Sequence, residues 1–142
     1  MGKGSAKERD AARMIHDAGL SVMRSPSSGG GTKREQPDLA VWETERVYAF
    51  ESKYGSADIL YVQDEEMEAL RGFNATTSVP TAEGMIARFK GDTSFYVVLP
   101  NQADRTPSGS YRLVKEDRGE YVSLSEWLEP TFGREWWYEE NS

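Results

Sequence analysis

Two runs of this chain, Asp38–Trp42 and Arg46–Lys53, have the pattern of strands covered on both sides. Side chains along a strand alternate between its two faces. A turn centred on Thr44-Glu45 would set Glu43 opposite Arg46, Trp42 opposite Val47 and Asp38 opposite Glu51. One face of that hairpin carries Asp38, Ala40, Trp42, Val47, Ala49, Glu51 and Lys53; the other carries Leu39, Val41, Tyr48 and Phe50. Both faces are largely apolar, so the pair belongs inside a sheet with a layer packed on each side. At 142 residues the chain is long enough for one such domain and its core.

The charges on the hairpin then need a reason. Like charges opposed across a strand pair are destabilising, and buried ones need a partner. A divalent cation would serve Asp38 and Glu51, because magnesium favours carboxylate oxygens. Lys53 lies two residues beyond Glu51 and so on the same face. The pattern predicts one site for a metal, a water and a phosphodiester. The plainer alternative is a sheet rim at which Lys53 neutralises one carboxylate.

Around this hairpin the pattern predicts a helix from about Ser5 to Ala18, opened by a Ser5-x-x-Glu8 capping box and closed by Gly19. Its apolar stripe is Ala11, Met14, Ile15 and Ala18, and Glu8 lies on the same line. Leu20–Arg24 reads as a strand, and the Ser- and Gly-rich stretch 25–36 as a loop. A second helix is expected over Gln63–Phe73, then strands at Met85–Lys90 and Ser94–Leu99 joined around Gly91-Asp92. A ribbon of Tyr111–Val114 with Tyr121–Ser123 and a short helix opened by Ser123-x-x-Glu126 complete the order, which fits a mixed sheet flanked by helices. The aromatic tail of Trp127, Trp136, Trp137 and Tyr138 is expected to pack on its own domain.

Composition narrows the chemistry. There is no cysteine, so disulfides and thiolate metal sites are excluded and a cytoplasmic protein is expected, including one of viral origin acting in a host. With a single histidine, His16, zinc chemistry and histidine-driven nucleophilic catalysis have little to work with. No apolar run approaches a membrane span. The net charge of −7 argues against a polyanionic partner until its distribution is seen. Residues 1–34 hold seven Lys and Arg against three acids, a balance of +4, while residues 61–142 hold eight against fifteen, a balance of −7. One basic face for a nucleic acid and one solvated acidic face are expected.

Lys3-Gly-Ser-x-x-Glu8-Arg9, Val22-x-Arg24-Ser-Pro-x-Ser28-Gly29, Pro37-Asp38, Glu51-x-Lys53 and Tyr61-Val62 together resemble the archaeal Holliday junction resolvases, within the wider PD-(D/E)xK nucleases. The resemblance spans about residues 3–99, with 100–142 as an extension of the same single domain. It implies an α/β fold of the restriction-endonuclease type, a mixed central sheet flanked by helices. It implies a magnesium-dependent homodimer, with manganese as a substitute metal, that nicks opposed strands of a four-way DNA junction. Asp38, Glu51, Glu8 and Ser52 would surround the metal, and Lys53 would position the attacking water. Arg9, Arg24, Ser28, Lys33 and Arg34 would contact DNA. Where the family often has basic residues at the second helix, this chain has Gln63-Asp64-Glu65-Glu66, acids suited to a helix N-terminus. The rival readings are a PD-(D/E)xK nuclease acting on linear or flap DNA, and a junction-binding module that does not cut.

Overall fold

The computed structural model describes residues 3–25, 37–44, 46–76 and 78–134, with side chains from Ala6 onward. Helix α1 (Lys3–Asp17) opens the chain two residues ahead of the expected start. Gly19 ends it as predicted: with φ of 95° its N–H reaches the His16 carbonyl at 2.9 Å. Strand β1 (Ser21–Arg24) pairs antiparallel with β2 (Leu39–Glu43), which pairs in turn with β3 (Arg46–Tyr54). The hairpin register is the predicted one, with Leu39 opposite Phe50 and Glu43 opposite Arg46.

Next come β4 (Ile59–Val62), α2 (Asp64–Ala75), β5 (Thr81–Arg88) and β6 (Tyr96–Val98). They are followed by β7 (Asp104–Arg105), β8 (Tyr111–Val114), β9 (Val122–Ser123) and α3 (Leu124–Trp127). A six-stranded sheet runs β1-β2-β3-β5-β6-β9, and a three-stranded sheet runs β4-β8-β7. The β3–β5 pair is parallel, which makes the large sheet mixed.

β3 lies between β2 and β5 and buries both faces. On one face, Leu39, Val41, Tyr48 and Phe50 pack with Ala11 and Ile15 of α1 and with Trp127 of α3. On the other, Ala49, Met85 and Ala87 pack with Met67 and Leu70 of α2 and with Leu60, Val62 and Leu113 of the small sheet. Trp127 is fully buried, its ring edge-on to Tyr48 at 5.1 Å and to Phe50 at 5.6 Å. Ser123 caps α3 through the Glu126 N–H at 3.1 Å, as the Ser-x-x-Glu spacing predicts. Trp136, Trp137 and Tyr138 lie outside the described residues.

Three expectations need correction. β5 begins at Thr81 rather than Met85, because Thr81-Ala-Glu-Gly, weak as a strand by composition, pairs with the buried β3. Tyr111–Val114 and Tyr121–Ser123 form no ribbon: β8 pairs with β4 and β7, and β9 pairs with β6. β4 was not anticipated as a strand, although Leu60 and Val62 alternate with exposed Ile59 and Tyr61.

Candidate nuclease centre

The hairpin ladder stops at Leu39, so Asp38 and Glu51 are not the direct cross-strand pair that the predicted strand from Asp38 implied. Asp38 stands just before β2, with its N–H bonded to the Phe50 carbonyl at 3.0 Å. Its carboxylate accepts the N–H of Ser52 at 2.8 Å, a bond a neighbouring strand would otherwise take. That exchange ties the Asp38 side chain to the backbone of the Glu51-Ser52-Lys53 triplet.

The triplet divides its side chains between the two layers because neighbours on a strand point to opposite faces. Ser52 turns toward α1, where its hydroxyl donates to Glu8 Oε2 at 3.4 Å. Glu8 also accepts Arg24 Nε from β1 at 3.3 Å. α1 starts at Lys3, so Ser5 lies inside the helix rather than at the cap position expected of it, and the side chain of Ser5 lies outside the described residues. Burial and the nearby Asp38 carboxylate push the Glu8 carboxyl above its ordinary range, against the pull of Arg24. A cation beside Glu8 would relieve the cost of its ionisation.

Glu51 and Lys53 turn toward α2. Glu51 is 2 % exposed, unusual for a carboxylate. Lys53 Nζ donates to Glu66 Oε2 at 2.8 Å. Glu66 Oε1 accepts the Gln63 N–H at 2.8 Å, closing the first turn of α2. Burial raises the Glu66 carboxyl, but its hydrogen bonds with Glu51, Lys53 and the Gln63 N–H outweigh that, and the net shift is downward. The acids noted at the head of this helix therefore have separate uses: Glu66 points in, Asp64 pairs with Arg105 at 3.7 Å, and Glu65 is exposed.

The structure brings Glu8, Asp38, Glu51, Ser52 and Lys53 to the same end of the β2–β3 pair. The oxygens of Asp38, Glu8 and Ser52 are linked through the Ser52 contacts, with Glu51 on the other face of the same strand segment, and hard oxygens of this kind are the donors a magnesium-like ion takes. Among the described residues no group of three or more acidic or histidine side chains stands close enough to hold a metal by itself. Arg24 is held by Glu8, and Arg9 is exposed on α1. Ser28, Lys33 and Arg34 lie outside the described residues. His16 is exposed beside Asp17 and touches none of this. Sequence reasoning took Glu66 only as an acid suited to a helix N-terminus; the unused signal was its spacing from Gln63, three residues, which is that of a capping box.

A sequence model of the archaeal Holliday junction resolvase (Hjc) family matches residues 1–134, beyond the span over which the motifs alone carried the likeness. The fold is similar to the crystal structure of Archaeoglobus fulgidus Hjc, a Holliday junction resolvase from an archaeal hyperthermophile. The TM-score is 0.69 at 19 % identity, covering 85 % of this chain and 94 % of that one. At that identity the structural likeness speaks for the fold, and the family match speaks for descent.

Proposed function

The chain belongs to the archaeal Holliday junction resolvase family, DNA-cutting hydrolases of the PD-(D/E)xK type that use divalent metals, and we propose how its own residues do that work. The metal would be magnesium, with manganese as a substitute, and Asp38 and Glu51 would hold it, with Glu8 and Ser52 contributing from the α1 side. When bound, it supplies Lewis-acid stabilisation of phosphoryl oxygens and a more acidic water. Lys53 orients the attacking water toward the phosphorus and faces the negative charge that develops on the phosphoryl oxygens. Arg9 and Arg24 hold flanking phosphates, joined by Ser28, Lys33 and Arg34. In-line attack leaves a 5′-phosphate and a 3′-hydroxyl.

The observation that supports this reading is the bond from the Ser52 N–H to the Asp38 carboxylate, which ties the Pro-Asp segment to the Glu-x-Lys segment. Paired nicking requires two centres, so the working unit is a homodimer whose twofold axis matches the junction's. Exposed Met23 and Trp42 line an apolar groove with Ala40 and Phe73, the kind of surface a second copy would cover. Among the described residues no helix is long and apolar enough to cross a membrane, and a cytoplasmic setting is part of the proposal.

The test is magnesium-dependent cleavage of a mobile four-way junction beside a linear duplex of the same sequence. Symmetric paired nicks confined to the junction are expected. Equal cutting of the duplex would mean a general nuclease, and tight junction binding without cutting would mean a binding module.

A further inference from the structure

Glu66 has so far been given no task, yet both of its carboxylate oxygens are engaged. One carboxylate oxygen is fixed by the backbone N–H of Gln63 at 2.8 Å, so the side chain is locked to the first turn of α2. The other oxygen meets Lys53 Nζ, also at 2.8 Å. The Lys53 and Glu66 side chains are 29 % and 21 % exposed, so water competes only in part for the pair. The anchor is itself anchored: Gln63 Oε1 accepts the hydroxyl of Ser110, which is 8 % exposed beside β8. A chain of contacts therefore runs from the small sheet through the head of α2 to Lys53.

A lysine side chain is long and rotatable, and its ammonium is a point charge with three donors. Left alone it would sample many positions at the end of β3. Glu66 takes one donor and leaves two for a water and a phosphate.

We infer that Glu66 is a positioning residue of the nuclease centre: it holds the Lys53 ammonium where water and phosphate must meet it. This rests on the role proposed for Lys53.

Glu66→Gln is the informative variant, because the amide oxygen can still cap Gln63 while the charge facing Lys53 is lost. Single-turnover cleavage of a four-way junction at saturating protein is compared with junction affinity measured without divalent metal and with the thermal midpoint. The maximal rate should fall roughly 10- to 100-fold, as for outer partners that orient a reacting group, with affinity and midpoint unchanged. The second readout needs no metal: in lysine-¹⁵N-labelled protein, assigned through Lys53→Arg, the Lys53 ammonium protons should exchange faster with water once Glu66 is neutralised.

A wild-type maximal rate in Glu66→Gln overturns the inference. So does a loss matched by equal losses of affinity and stability, or a slower rate with the Lys53 signal unmoved. If the wild-type protein fails to cut junctions at all, the functional reading fails, while the ammonium exchange still reports whether Glu66 holds Lys53.

Discussion

Glu8 and Glu66 approach the same strand end from opposite layers, and their carboxyls shift in opposite directions. Both are partly buried glutamates on long helices. Glu8 sits within reach of the Asp38 charge and has one guanidinium at 3.3 Å and a hydroxyl at 3.4 Å. Glu66 has an ammonium and a backbone N–H, both at 2.8 Å. Burial disfavours either anion, so the sign is decided by what the anion can bond. Among the described residues the α1 side sets two carboxylates, Glu8 and Asp38, against Arg24 and is suited to attract a cation; the α2 side pairs Glu66 with Lys53 and is suited to hold a lysine still.

The largest test of that division is Lys53→Ala against Asp38→Asn. Lys53→Ala should lower single-turnover cleavage by roughly 100- to 1,000-fold with folding intact, the size expected for a group that faces developing charge. Asp38→Asn should abolish cutting while junction binding survives in a gel-shift titration. Near-normal turnover in either would remove that residue from the centre.

Next in size is the packing beneath the α1 side. Trp127→Ala removes a fully buried ring that contacts both Tyr48 and Phe50. It should cost about 3–5 kcal/mol in denaturant unfolding. A much smaller loss would show that α3 does not close this layer.

The pH dependence of stability sharpens the electrostatic contrast. Glu8 has a folded pKa raised above the ordinary 4.5, so the folded state binds its proton more tightly than the unfolded state does. Stability from this group falls as pH rises from 4.5 through the raised value, and Glu8→Gln should gain stability at neutral pH. Glu43 is the opposite case. Hydrogen bonds from Arg134 at 2.6 Å and from the Tyr48 hydroxyl at 2.8 Å hold its carboxyl below 4.5. Its contribution is present above pH 4.5 and is lost as pH falls through the depressed value, so Glu43→Gln should flatten the acid limb. Thermal midpoints of metal-free protein across the pH range read both.

The smallest expected effect lies at the far end of the α2 side. Ser110→Ala removes the hydroxyl that holds Gln63, and should cost about 1 kcal/mol in chemical unfolding. No measurable change would mean that the small sheet does not steady the head of α2.

The hairpin, its register and its two apolar faces were legible in the sequence because they follow from period-two alternation and one short turn, both local. The same holds for the Gly19 helix end and the Ser123 cap, each a pattern within a few residues. Glu8 was read from the motif likeness, but what Glu8 and Glu66 bond to was decided by tertiary structure alone. Glu8 meets Ser52 across 44 positions of chain, and Glu66 meets Lys53 across 13, through helices on opposite layers. Helix phase says only which side of a helix points inward. What that side meets depends on where packing places the helix on the sheet. The displacement of Asp38 from its expected cross-strand place has the same origin: a side-chain carboxylate outcompeted the strand ladder for the Ser52 N–H once the two segments were brought together.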